Sequence, residues 1–120
     1  MPLRMITDQQ FKALKLKTDG KKTRQSVTAD LVSASGIPDG RLTSISLWVS
    51  RGEEISDVTE MLSLSTRHLW LSQVERLVGQ PVEVVYDEIE RKGSNPPSIY
   101  GQVVAVKCSH TILHDIFPYQ

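Results

Sequence analysis

Ile55-Ser56-Asp57-Val58-Thr59-Glu60-Met61-Leu62-Ser63-Leu64-Ser65-Thr66-Arg67-His68-Leu69-Trp70-Leu71 carries two incompatible periodicities, and the choice between them sets the fold. Asp57-Val58-Thr59-Glu60 has the spacing of a capping box, with Val58, Met61 and Leu62 following at helical intervals. Leu62, Leu64 and Thr66 also alternate, as residues of a strand do. Downstream, Trp70, Leu71, Val74, Leu77 and Val78 repeat on one helical face, and Gly79-Gln80-Pro81 supplies a helix stop. That stop favours the helical reading, so the segment predicts two consecutive helices, with a strand over 61–71 as the alternative.

Upstream, Thr7-Asp8-Gln9-Gln10 is another capping box, flanked by Ile6 and Phe11 at hydrophobic-staple positions, and predicts a helix over about 8–17. From Thr23 to Ser35 the period falls to two, with Val27, Ala29 and Leu31 on one side. Alternation resumes from Leu42 to Ser50, where Ile45, Leu47 and Val49 share a face and Trp48 lies opposite with Ser44 and Ser46. The turn residues Gly36-Ile37-Pro38-Asp39-Gly40 between them predict an antiparallel hairpin. Residues 81–90 and 98–107 predict a second hairpin around an exposed, proline-rich loop at 91–97. The apolar tail, Thr111-Ile112-Leu113 and Ile116-Phe117-Pro118-Tyr119, predicts an edge strand or a partner contact. Together these elements predict one α+β domain over 1–120, a mostly antiparallel sheet of four to five strands with about three helices on one face.

With 120 residues, 39% of them hydrophobic, the chain is long enough for a self-supporting core, so stability makes no demand for a metal or cofactor, and none is expected. Fourteen basic and fourteen acidic side chains cancel, which removes the global cation field used by many nucleic-acid coats and membrane-surface binders. A lone cysteine, Cys108, excludes an intramolecular disulfide and suits a reducing compartment. The first residues, Met1-Pro2-Leu3-Arg4-Met5-Ile6, lead straight into polar ones, and the longest aliphatic run is Val103-Val104-Ala105-Val106. A bilayer span needs roughly 20 apolar residues, so a cytoplasmic protein without a membrane partner is expected.

Charge is unevenly distributed. Residues 12–24 hold six bases, Lys12, Lys15, Lys17, Lys21, Lys22 and Arg24, against one acid, whereas 53–60 and 83–90 hold four acids each. Opposite patches of this kind steer a charged partner or pair with each other in a symmetric dimer. Trp48, Tyr86 and Tyr100 are the aromatic residues expected at partial exposure, where such side chains anchor interfaces.

The segment 55–71 also resembles the helix-turn-helix spacing of DNA-binding proteins. Val58, Leu62, Leu64 and Leu69 stand at its inter-helix apolar positions, Ser65 at the second cap, and Thr66, Arg67 and His68 lead the second helix. Thr59 and Ser63 depart from the usual small residue and turn glycine, and 51–78 holds three arginines against five carboxylates. The resemblance implies a nucleic-acid contact through Arg67, supported by the basic 12–24 stretch. Cys108, His110 and His114 are the one set with metal-ligand chemistry, and they would point one way if the strand ran through them. No second ligand pair accompanies them, so their plain reading is structural. The carboxylates Glu53, Glu54, Asp57, Glu60, Asp87, Glu88 and Glu90 lie in polar stretches and read as solvated faces. No phosphate loop, nucleophile elbow, H-E-x-x-H helix or C-x-x-C pair is present.

The expected function is therefore a non-enzymatic binding or regulatory module that contacts another protein or itself, as accessory and inhibitor proteins of mobile elements do. A nucleic-acid binder using 55–78 with 12–24 is the alternative, and a small metal- or Cys/His-dependent enzyme stands third.

Overall fold

The computed structural model describes residues 6–16, 23–53, 56–91, 93 and 98–116, with the side chains of 50–53, 56–59 and 91 left aside. The elements are α1 (Asp8–Leu16), β1 (Thr23–Gly36), β2 (Leu42–Glu53), β3 (Ser56–Ser65), α2 (Leu71–Glu75), β4 (Pro81–Arg91), β5 (Ser98–Cys108) and β6 (Thr111–His114). The strands lie in the order β3-β2-β1-β4-β5-β6, and a parallel contact between β3 and β5 closes five of them into a barrel. The expected α+β sheet with about three helices on one face is overturned: among the described residues, only two short helices accompany the barrel.

The decisive stretch is a strand. Residues 56–65 pair antiparallel with β2 through ten consecutive register positions, from Ser44↔Ser65 to Glu53↔Ser56. This ladder outweighs the local capping-box signal of Asp57 and Glu60, because a helix here would strand the β2 edge without partners. Period two then sorts the residues: Leu64 is buried and Leu62 partly so, while Met61 and Ser63 face outward. The helix-turn-helix reading of 55–78 falls with it. Its second helix shrinks to Leu71–Glu75, whose first turn is fixed by the Trp70 N–H donating to Gln73 Oε1 at 2.9 Å.

Although short, α2 keeps the apolar periodicity for one purpose, to plug one end of the barrel. Leu69, Val74 and Leu77 are buried in the main core with Leu31, Leu42, Ile45, Leu47, Leu64, Val84 and Val103. The turn after the helix crosses back at Gly79, whose φ of +89° suits a residue without Cβ. There the Gly79 N–H donates to Leu31 O at 2.7 Å and the Leu31 N–H to Gln80 O at 3.0 Å.

A second, smaller core lies outside the barrel. Phe11 of α1 is buried with Val85, Val104, Ala105 and Ile112, joined by Ile6 and Leu14. The expected capping box holds: the Thr7 N–H donates to Gln10 Oε1 at 2.9 Å and the Gln10 N–H to Thr7 Oγ1 at 3.2 Å. The β1–β2 and β4–β5 hairpins and the terminal edge strand also form, and β6 pairs with β5 from Ala105↔His114 to Cys108↔Thr111. Among the described residues, no helix is long and apolar enough to cross a membrane.

Candidate functional site

Because α1 packs over β4, β5 and β6 and touches only the start of β1, the outer side of β2, β3 and the rest of β1 is left uncovered among the described residues. Register sets its centre: Asp30 of β1, Trp48 of β2 and Met61 of β3 are cross-strand partners in one row. Trp48 and Met61 are each 48% exposed, and Val32, at the β1 bulge, is 41% exposed. Cross-strand partners on one face stand about 5 Å apart, so Trp48 and Met61 form a short apolar strip, with exposed Asp30 at its β1 end and Val32 at the adjoining bulge. Serine borders it: Ser46 and Ser63 form the next outward pair with hydroxyls 3.5 Å apart, then come Ser44 and Ser65. Arg41 just before β2 and Arg67 just after β3 extend this strip toward α2. Arg67 is half-buried, and its Nε makes no hydrogen bond among the described residues.

A second feature opens where the barrel closes least. β3 and β5 pair only at Leu64↔Gly101 and Ser65↔Gln102, so β3 and β5 splay apart beyond that contact. The gap forms a cleft of about 430 Å3 lined by Leu62, Ser63, Leu64, Tyr86, Glu88, Ile99, Tyr100 and Gly101. Gly101 makes the contact possible, since a Cβ there would come within 2.3 Å of Leu64 Cδ2.

Of the sequence-derived basic patch, Arg24 and Lys15 are engaged in ion pairs. Arg24 is a cross-strand partner of Asp87 and pairs with it through Nε and, at 3.1 Å, through Nη2. Its Nη1 donates to Leu14 O at 2.8 Å, which satisfies a carbonyl in the last turn of α1. With side-chain exposures of 8% and 7%, the pair is structural, so Asp87 is buried where a solvated carboxylate was expected. Lys15 is paired with Glu83, and Lys12 is exposed on α1. Lys17, Lys21 and Lys22 lie outside the described residues. Of the three aromatic candidates, Trp48 is exposed and Tyr100 half-buried as expected, but Tyr86 is buried, because it continues the inward alternation of Val82 and Val84 along β4 into the main core.

The Cys108, His110 and His114 set is pulled apart by a turn. Ser109, with φ of +53°, and His110 connect β5 to β6, so the three residues do not share one strand. Cys108 is buried in the main core with its Sγ 3.4 Å from Gln80 Oε1, while His110 is exposed. Among the described residues, no group of three or more His, Cys, Asp or Glu is placed to hold a metal ion.

Sequence reasoning missed Asp115, which is fully buried. Its carboxylate accepts the backbone N–H groups of Arg67, His68 and Leu69 at 2.9, 2.6 and 3.0 Å. This fixes the loop that carries Arg67 between β3 and α2. A carboxylate followed by an apolar terminus was its only local signal.

A five-stranded barrel closed in the order β1-β2-β3-β5-β4, with β3 parallel to β5 and a helix between β3 and β4, resembles the oligonucleotide/oligosaccharide-binding (OB) architecture. This likeness is one of fold. No protein-family model matches the chain, and no curated protein matches it either.

Proposed function

We propose that this protein is a non-enzymatic binding module that holds single-stranded nucleic acid across the outer face of β1, β2 and β3. The observation that carries the reading is Trp48, half-exposed at the centre of the uncovered face and flanked by Met61 in register. A flat aromatic side chain at such a place offers a stacking platform to any base, whatever the sequence. The serine hydroxyls beside it can donate to sugar or phosphate oxygens. Arg41, which precedes β2, and Arg67, which follows β3, supply cations where these strands lead toward α2. The strand order adds weight, because barrels of this architecture bind oligonucleotides on the face of their second and third strands.

Zero net charge is compatible with this reading if phosphate contacts are few and local. Asp30 stands in the Trp48 row and Glu60 adjoins Met61, so the phosphates would run on the serine side of the platform, away from both acids. Fluorescence anisotropy at low salt should therefore detect binding of a labelled single strand in preference to the corresponding duplex. Trp48→Ala should weaken it at least about fivefold, the low end of measured base-stacking losses. Absence of binding at low salt and micromolar protein would overturn the reading.

A second reading, a protein partner or a second copy on the same face, is favoured by the apolar character of Val32, Trp48 and Met61. It predicts that Trp48→Ala abolishes a protein complex or a concentration-dependent dimer and that no oligonucleotide competes.

A further inference from the structure

The cleft between β3 and β5 adjoins the Trp48 face, and its lining is chemically selective. Leu62, Leu64, Tyr86 and Gly101 come from three strands and meet at the splayed seam, with Ile99 and Tyr100 on the β5 side. One ionisable acid, Glu88, stands among them, half-buried, and makes no hydrogen bond or ion pair with another described residue. Ser63 belongs to both features: it lines the cleft and is the outward neighbour, two residues along β3, of Met61. Two residues of strand span about 7 Å, close to one nucleotide step.

We propose that this cleft seats one amino-bearing nucleobase, adenine, cytosine or guanine, of the strand lying on the Trp48 face, with its exocyclic amine donating to the Glu88 carboxylate. The proposal rests on the strand-binding reading above and adds base preference to it. An aliphatic and tyrosine lining suits a planar ring, and a volume of about 430 Å3 falls within the range of small-ligand pockets. An ionised carboxylate accepts hydrogen bonds and donates none, so it selects for N–H donors. Cytosine offers the N4 amine, adenine the N6 amine and guanine the N2 amine beside N1–H, whereas thymine offers only N3–H, flanked by two carbonyl oxygens that Glu88 would repel. Gly101 keeps the floor flat, because a side chain there would already collide with Leu64.

The full chain should be titrated with homopolymeric thymidine, cytidine and adenosine deoxy-oligomers about a dozen nucleotides long, within the site sizes of OB barrels. The cytidine and adenosine oligomers should bind about tenfold tighter than thymidine, as expected for one hydrogen bond to a charged group. Glu88→Met, which keeps the side-chain volume, should erase that preference and leave thymidine binding unchanged. Glu88→Gln, which keeps one acceptor oxygen, should lose only part of it. Equal affinity for all three oligomers, or a preference that survives Glu88→Met, would overturn the cleft assignment while leaving the strand-binding face intact. If no oligomer binds, the strand-binding reading fails. Titration of free cytidine and adenosine against tyrosine emission then decides the cleft, and no change in emission overturns it too.

Discussion

Asp115 accepts the backbone N–H of His68 at 2.6 Å across 47 residues of chain, and the neighbouring amides of Arg67 and Leu69 point into the same carboxylate. Three successive N–H groups aimed at one buried anion form a small nest, which turns β3 out of the barrel wall and into α2. The Asp115 N–H in turn donates to Val104 O at 2.8 Å, so the same residue anchors the end of β6 to β5.

Asp115→Ala should be among the most damaging single changes in the chain. It would leave three backbone donors without their acceptor, each worth about 1–3 kcal/mol where water cannot replace it, so a loss of at least about 3 kcal/mol is expected. Urea unfolding followed by tryptophan emission measures it. A loss under about 1 kcal/mol would mean that water reaches these amides.

Gly101→Ala should strain the barrel seam, because the new methyl would sit 2.3 Å from Leu64 Cδ2. Overpacking of this kind costs about 1–3 kcal/mol. Leu64→Val shortens the obstructing side chain and should recover part of the loss, so the double variant should be less destabilised than the sum of the two singles.

The Arg24–Asp87 pair supports a different kind of double-variant test. Arg24→Met alone, or Asp87→Leu alone, leaves a buried charge without its partner and should cost about 3–5 kcal/mol. Replacing both together should cost far less, apart from the bond from Arg24 to Leu14 O that holds the end of α1. Circular dichroism melts of the three variants test whether the pair or the helix anchor dominates.

A surface pair gives stability a pH dependence of definite sign. The Lys107 ammonium, 2.8 Å from Asp8, lowers the Asp8 carboxyl below its ordinary 3.8 by hydrogen bonding and charge. The same hydrogen bond raises Lys107 above its ordinary 10.5. Stabilisation through Asp8 is present above its unfolded value and is lost as pH falls through the lower folded value. Stabilisation through Lys107 is complete below its unfolded value and is lost as pH rises through the higher folded value. The melting difference between the wild type and Asp8→Asn should therefore be greatest near neutrality, shrink as pH falls below 3.8 or rises above 10.5, and shrink in high salt.

Where local pattern and tertiary demand agree, the fold is legible in the sequence. Thr7 and Gln10 cap α1 by short-range chemistry, and the alternation of Ile45, Leu47 and Val49 against Trp48 marks both faces of β2. Residues 56–65 are misread because Asp57 and Glu60 imitate a capping box, while the partner that makes them a strand lies on β2, outside any local window. Arg24 and Asp87 are 63 residues apart, so a run of basic residues gives no hint that one of them is withdrawn into an ion pair. Tyr86 alternates with Val82 and Val84 along β4, so its face is legible, whereas the barrel closure that buries that face depends on the remote β3–β5 contact. Of the candidate site, Trp48 was readable from its place opposite an apolar face. The cleft was not, because it exists only where two remote strands separate.

β4 and β5 have apolar packing on both flanks: Val84 and Val103 look toward the barrel axis, while Val85, Val104 and Ala105 lie beneath Phe11. That double enclosure makes them the chain's spine in a kinetic sense. Their amide protons should be the last to trade with deuterium, released only by global opening, whereas β3, bonded along one side for most of its length, should surrender its protons through partial excursions that never dismantle the rest.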